Sequence, residues 1–337
     1  MKKLFLSTAM MVCMVSVNAQ QDVHYSQFYS MPLAINPATA GIFEGGFRLN
    51  MDYRSQWKSV TTPWNTIAAS ADMKFLEDDI SGNFFTGGAM FYTDKAGDSN
   101  FKTGLYNLAF GYTVHISKGA YFSTAIQGGI IQNSMDYNSL YFESQYNGYE
   151  FDKSWPTNEI QSGAVSFTKG DLSLGVNYFN EIDDDKTIFI GAAGNHLLAH
   201  KVNFLTTSDR IFRKVTIHGG AQFKIERMAF VPNFLVALQG PNQVINIGNE
   251  LRIWLREQSH FTGFNDEMSF GIGTYYRLGD ALLLGGKFNY AGFTLTGSFD
   301  FNTSQFNVAT GGNGGFEIMV GYRANFGTGK GKQTRFL

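Results

Sequence analysis

The chain has little of what stabilises small exported domains or membrane-spanning helices. Its one cysteine, Cys13, lies in an apolar N-terminal stretch, so a chain cleaved after that stretch has no disulfide and no thiolate. Beyond it, no segment approaches the ~18–20 consecutive apolar residues that a membrane helix needs. The net charge of -2 lacks the basic excess that phosphate binding requires, which argues against nucleic acid as a main partner.

Aromatic residues and glycine are abundant. The 337 residues include 32 Phe, 16 Tyr and 38 Gly, and 44% are hydrophobic, yet the mean hydropathy is only -0.14. Such a composition is typical of a β-barrel in which alternate side chains face lipid. The length alone would also suit two soluble domains.

The first residues predict export. A positive start at Lys2 and Lys3 precedes an apolar stretch that ends in the small-residue site Val17-Asn18-Ala19. This is the layout of a cleaved signal peptide over residues 1–19, whereas a core helix would continue its apolar pattern further.

Period-two alternation predicts β-strands along most of the mature chain. Every second residue from Tyr106 to Ile116 is apolar, and similar alternation recurs over 215–225, 245–255 and 293–301. A soluble sandwich would alternate too, but these segments often reach ten residues and carry charges on their polar faces, as a wet lumen tolerates. We therefore expect an all-β fold: a transmembrane, antiparallel, up-and-down β-barrel surrounded by outer-membrane lipid.

The alternation gives about fourteen strands. They are expected near 46–54, 66–75, 84–93, 102–116, 120–135, 171–180, 187–196, 214–226, 228–239, 243–256, 268–278, 280–290, 292–301 and 316–326. The barrel would span 46–326, between a plug-like or periplasmic segment at 20–45 and a periplasmic tail at 327–337. An even count puts both chain ends in the periplasm and the long connections 55–65, 136–170, 197–213 and 302–315 outside. The long connection 257–267 falls on the periplasmic side, which indicates either a missed strand pair or a periplasmic elaboration.

No set of residues predicts catalysis, a cofactor or a metal site, so we expect a protein that is not an enzyme. His196 and His200 have helical spacing for a metal but straddle a strand end and a loop. The acidic residues at 181–185 lack a calcium-loop motif and fit a solvated turn. The serine and histidine spacing of an outer-membrane lipase is not found.

The segment Gln21–Gly41 has a pattern of its own. It contains Gln21-Asp22-x-His24-Tyr25-Ser26-Gln27-Phe28-Tyr29, then Pro32-Leu33 and Asn36-Pro37-Ala38, and its aromatic side chains need burial in the barrel or in a partner. This segment resembles the opening signature of the PorP/SprF family of the type IX secretion and gliding system. The likeness continues in Tyr53-Arg54-x-Gln56-Trp57, Trp64, Asp94–Asp98, His218-Gly219-Gly220 and the run 282–301.

The resemblance implies a non-enzymatic outer-membrane component. One branch of the family works with the periplasmic type IX machinery; the other pairs with a large secreted adhesin, aiding its export or holding its C-terminal domain at the surface. The rival hypothesis is an outer-membrane channel for small solutes. Partner-binding residues are expected in the N-terminal signature, at His24, Tyr25, Gln27, Tyr29, Pro32, Asn36 and Pro37. A second set is expected on the external rim, at Arg54, Gln56, Trp57, Trp64, Tyr141, Phe142, Tyr146 and Trp155, unless these loops only fold over the barrel mouth.

Overall fold

The computed structural model describes residues 22–78, 80–158, 163–199, 201–202, 209–256 and 267–324. The expected signal peptide and C-terminal tail lie outside these ranges. Fourteen strands form a closed antiparallel barrel, as the alternation predicts, and a separate two-stranded hairpin lies between the seventh and eighth of them.

The barrel strands are β1–β7 and β10–β16, and the hairpin is β8 and β9. Their bounds are β1 Phe47–Gln56, β2 Trp64–Phe75, β3 Phe84–Ala96, β4 Phe101–Ser117, β5 Ala120–Asp136, β6 Ala164–Asp183, β7 Lys186–Asn195, β8 Lys201–Val202, β9 Asp209–Arg210, β10 Lys214–Ile225, β11 Met228–Gln239, β12 Asn242–Arg256, β13 Met268–Arg277, β14 Ala281–Tyr290, β15 Phe293–Asn302 and β16 Asn313–Ala324. Each barrel strand pairs with the next along the chain, and β1 closes the ring by pairing with β16 from Phe47↔Ala324 to Gln56↔Gly315.

Helices are few and short. Single turns occur at Phe28–Ser30, Pro32–Ile35, Pro37–Thr39, Tyr137–Ser139, Glu143–Gln145 and Asn307–Thr310. Within the described ranges, no helix is long and apolar enough to cross a membrane.

The faces of the strands match the predicted alternation. On β4, Leu108 and Phe110 are 69% and 52% exposed on the outer surface, whereas Asn107 and Thr113 are buried towards the lumen. Because lipid replaces water around the outer wall, its exposed apolar side chains are in a compatible solvent, and the polar partners face inwards.

The connections distinguish the two ends of the barrel. One end carries the long connections between β5 and β6 and between β7 and β10, together with one two-residue turn at 240–241, while the other carries four two-residue turns, at 118–119, 184–185, 226–227 and 291–292. Bacterial outer-membrane barrels place short turns in the periplasm and longer loops outside, which assigns the first end as external and the second as periplasmic.

One expectation about connections changes, and another falls mostly outside the described residues. β6 begins at Ala164 instead of near 171, so the external loop is shorter than expected. The first residues of β6 pair with the end of β5, as far as Asp136↔Ala164. In this part of β6 the sequence has no clear apolar alternation, so the predicted strand begins later. The connection expected at 257–267 lies outside the described residues except for Glu267; among the described residues β12 pairs directly with β13, so no further barrel strand separates the two.

Candidate functional site

The chain from Asp22 to Gly46 runs down the inside of the barrel. Asp22 lies at the external end, beside His196 just after β7 and Lys214 at the start of β10. The other end joins β1 at the periplasmic mouth, where the Gly46 amide donates to the Ala324 carbonyl at 2.9 Å. We call residues 22–46 the lumenal segment.

An ionic cluster holds the start of the lumenal segment. The Asp22 carboxylate contacts the Lys214 ammonium and lies 3.3 Å from Nε2 of His196, while the Tyr92 hydroxyl donates to it at 2.9 Å. Nδ1 of His196 lies 2.8 Å from the Asp171 carboxylate. Burial alone would lower the pKa of His196, but the two carboxylates raise it to about 9. Burial alone would raise the pKa of Asp22, but Lys214 and His196 bring it below its usual range.

A second polar cluster lies below the first and receives the backbone of the lumenal segment. The Glu317 carboxylate accepts the amides of Ser26 and Gln27 at 2.7 and 2.9 Å. Arg54, fully buried, is 2.8 Å from the Asp300 carboxylate and 2.9 Å from that of Glu317, and also donates to the Ser26 hydroxyl. Buried charges are tolerated only when paired and hydrogen-bonded, and here the lumenal segment completes the pairing.

Apolar contacts surround the middle of the lumenal segment. Met31 and Leu33 are at most 1% exposed and pack with Ala68, Met90, Tyr92, Leu105 and Ile131 of the wall. On the other side of the lumen, Phe28 lies 5.9 Å from the ring of Tyr275 and packs in a cluster with Leu235 and Leu283. At this level the lumenal segment therefore contacts strands on both sides of the lumen. Beside its external part, a cavity of ≈ 20 Å³ has room for about one water molecule.

Asn36 has a close-fitting position against the wall. Its side-chain amide donates to the Val176 carbonyl at 2.9 Å and lies 3.0 Å from Nε2 of His218, while its oxygen caps the turn at Ala38. A Cβ on Gly175 would lie only 1.9 Å from Oδ1 of Asn36. Glycine at this wall position is therefore what lets Asn36 approach, and the distant Asn-Pro-Ala and His-Gly-Gly motifs meet here.

The structure thus places the N-terminal candidate residues inside their own barrel. Tyr25, Gln27, Asn36 and Pro37 are buried; the other three, His24, Tyr29 and Pro32, are partly buried. Burial raises the pKa of Tyr25 and Tyr29, while burial and the nearby Arg277 and Arg54 lower the pKa of His24. In this conformation these residues bind the wall of the barrel.

The external-rim candidates divide into three groups. The expectation that Arg54 and Gln56 lie on an exposed rim is wrong, because both side chains are buried and face the lumen. The sequence contained this signal, because Arg54 and Gln56 stand at even-numbered positions of β1 and alternate with the outward-facing Met51 and Tyr53. Trp57 and Trp64 are partly buried and pack edge to face at 4.6 Å.

The remaining rim candidates lie on the loop between β5 and β6. Tyr141, Tyr146 and Trp155 are 56%, 47% and 47% exposed, while Phe142 is partly buried. Phe151, which the sequence did not single out, is 50% exposed and lies 5.1 Å from Tyr146. We call Tyr141, Tyr146, Phe151 and Trp155 the loop aromatic cluster.

The loop aromatic cluster rests on an ordered loop. Gln145 is buried beneath it, accepts the Phe142 amide at 3.2 Å and donates to the Trp155 carbonyl at 3.1 Å. The fixed backbone therefore presents exposed rings, instead of burying them over the barrel mouth.

The structure gives His196 a different role from metal binding. It lies between two carboxylates, and His200 lies outside the described residues. Within the described part of the chain, no group of three His, Cys, Asp or Glu side chains is arranged to hold a metal ion.

Comparison with known proteins supports the fold and identifies a family. A model described as type IX secretion system membrane protein PorP/SprF matches residues 17–322. A comparison with curated proteins gives no match. Among solved structures, a deltaS2 mutant of the monoaromatic hydrocarbon channel TodX has a TM-score of 0.53 at 11% identity, covering 88% of this chain and 94% of its own. A FadL homologue from Pseudomonas aeruginosa has a TM-score of 0.49 at 9% identity, and the match covers 85% of this chain and 92% of the homologue. The likeness to TodX shows a common barrel fold alone.

Proposed function

The chain belongs to the PorP/SprF family of type IX secretion system membrane proteins, and we propose that it acts as a non-enzymatic outer-membrane docking component. Its external end would support the export or the surface attachment of a large secreted adhesin by binding the adhesin's C-terminal domain. Its periplasmic end would face the other proteins of the secretion machinery.

The loop aromatic cluster carries this proposal. Large aromatic side chains that stay exposed on an ordered loop are typical of protein-binding surfaces, where they provide most of the binding free energy. Phe151 lies 5.5 Å from Tyr141 and 5.1 Å from Tyr146, Trp155 is exposed on the same loop, and Lys153 lies 4.5 Å above Tyr141. A partner surface with apolar pockets and an acidic or polar edge would complement this cluster.

A solute channel is the alternative function, and the lumenal segment weighs against it. Met31, Leu33 and Asn36 are at most 1% exposed in the middle of the lumen, where a channel would need open space. The fold is shared with monoaromatic hydrocarbon channels, but at 11% identity this likeness does not carry their transport activity to this chain.

The test is to remove the exposed rings without disturbing the barrel. The triple variant Tyr146→Ser, Phe151→Ser, Trp155→Ser should strongly reduce the amount of secreted adhesin retained at the cell surface. Tyr149→Ser is the matched control, because Tyr149 lies in the same loop and is 94% exposed but outside the cluster. Retention can be measured by antibody binding to intact cells, and barrel folding by its heat-modifiable migration. Unchanged retention in a correctly folded triple variant would refute the proposed function.

A further inference from the structure

We propose that the lumenal segment is a withdrawable plug, and that withdrawal presents the stretch His24–Tyr29 to a periplasmic protein partner. In this proposal, opening the lumen and exposing that stretch are one event. The identity of the partner class rests on the proposed function, whereas the withdrawal itself rests on the contacts of the lumenal segment.

The attachment of the lumenal segment determines the direction of movement. Its periplasmic end continues into β1, which pairs with β2 and β16 along its whole length. Its external end is held by side chains at Asp22, and with cleavage after Ala19 only two residues would precede Asp22. The lumenal segment can therefore leave the barrel by releasing its external end and moving out through the periplasmic mouth.

The periplasmic end of the lumenal segment contains two glycines that can act as a hinge before β1. Gly41 and Gly45 have φ of 70° and 124°, in the region that favours glycine. The Gly41 amide donates to the Asp72 carboxylate at 2.8 Å, close to the periplasmic end of β2. Hinges are a few positions that absorb large backbone changes, and two glycines before the first strand provide such positions.

The external part of the lumenal segment is held chiefly by polar groups. Asp22, Ser26 and Gln27 bind through the two charged clusters, and water can replace each of those contacts after release. The fit is also incomplete: the hydroxyl of Tyr25, the amide nitrogen of Gln27 and the hydroxyl of Ser30 are buried without a hydrogen-bond partner among the described residues. Unsatisfied buried polar groups lower the stability of the docked state relative to a hydrated one. The contacts of the external part of the lumenal segment are therefore of a kind that can be released.

The released stretch has the chemistry of a peptide ligand. Residues 24–29 contain three aromatic side chains separated by Ser26 and Gln27, and in the docked state all three pack against wall side chains or each other. Aromatic anchors in an extended segment bind apolar grooves with polar rims, and they would need such a surface once exposed to water. A folded periplasmic protein with an apolar groove is the partner that fits.

A reversible cross-link tests the withdrawal. The Ser26 hydroxyl lies 2.5 Å from Oδ1 of Asp300, so the double variant Ser26→Cys, Asp300→Cys should form a disulfide, in a mature chain expected to have no other cysteine. In planar bilayers the oxidised variant should show no channel openings, and reduction should produce them. Ser26→Cys alone is the control, and its openings should not depend on reductant. Openings that are equally frequent before and after reduction would overturn the proposal.

A second experiment measures exposure to the periplasm in cells. Ser30→Cys, buried in the docked state, should react with a maleimide that reaches the periplasm, and the 26–300 disulfide should abolish that reaction. Labelling that persists in the cross-linked protein would overturn withdrawal as its cause. Deleting residues 22–35 should give steady conductance, and a folded deletion variant without conductance would also overturn the proposal. Loss of adhesin retention in the loop triple variant is a separate result, so the two proposals can fail independently.

Discussion

Replacing Arg54 by methionine should release the lumenal segment much more often. Arg54 is fully buried and binds Asp300, Glu317 and Ser26. Removing one partner of a buried ion pair costs roughly 3–5 kcal/mol. The cost should lie near the lower limit, about 3 kcal/mol, because Asp300 keeps an Arg277 guanidinium at 2.9 Å and Glu317 keeps two backbone amides.

This cost falls mainly on the docked state. When the lumenal segment has left, the two carboxylates face water that enters the lumen, so they no longer need Arg54 for compensation. Since every 1.4 kcal/mol changes an equilibrium tenfold, the released population should rise on the order of 100-fold.

Chymotrypsin provides the assay, because its aromatic cleavage sites at Tyr25, Phe28 and Tyr29 are protected in the docked state. The initial cleavage rate of Arg54→Met, followed by mass spectrometry, should exceed that of the unmodified protein by roughly the same 100-fold factor. Lys186→Met is the control, because the Lys186–Asp183 pair has side chains 54% and 46% exposed, and water screens such an exposed pair so that it contributes little to stability. Equal cleavage rates in Arg54→Met and the control, with both barrels folded, would refute the reasoning.

Three further predictions concern other contacts. The pKa of His196 is raised from 6.5 to about 9 in the docked state, so protonated His196 stabilises that state fully below about pH 6.5, and this stabilisation is lost as the pH rises through 9. Resistance of the docked state to chymotrypsin should therefore fall over that range. His196→Gln should remove the pH dependence. Gly175→Ala should destabilise the docked state, because its new Cβ would lie 1.9 Å from the amide oxygen of Asn36. The double variant with Asn36→Ala lacks that oxygen, so its loss of unfolding free energy should be smaller than the sum of the losses of the two single variants. Additive losses would contradict this. Leu108→Arg should lower the free energy of unfolding by about 2–4 kcal/mol, measured by urea unfolding from liposomes, because Leu108 is 69% exposed on the outer wall midway along β4. The control Ala109→Ser, on the lumen-facing side of the same strand, should change the free energy of unfolding little.

The barrel could be predicted from the sequence because the membrane imposes a period of two on every spanning strand. Tyr106 to Ile116 alternates with polar residues, and the structure turns its apolar residues outwards and its polar ones into the lumen. The same rule fails at the start of β6, where residues from Ala164 stand beyond the alternating region and pair with β5. A strand surrounded by water on both faces needs no lipid-facing pattern, so its sequence resembles a loop.

The sequence by itself determined the number of barrel strands, their faces and the family likeness, because each of these depends on local patterns. Only the tertiary structure decided the surroundings of the N-terminal signature. It brings Ser26 to Glu317 and Asn36 to His218, contacts separated by 291 and 182 residues in the chain. Closure of the barrel creates one enclosed lumen in which residues distant in sequence become neighbours. No local pattern specifies which of the lumen-facing polar residues will pair, because that depends on the register of all fourteen strands together.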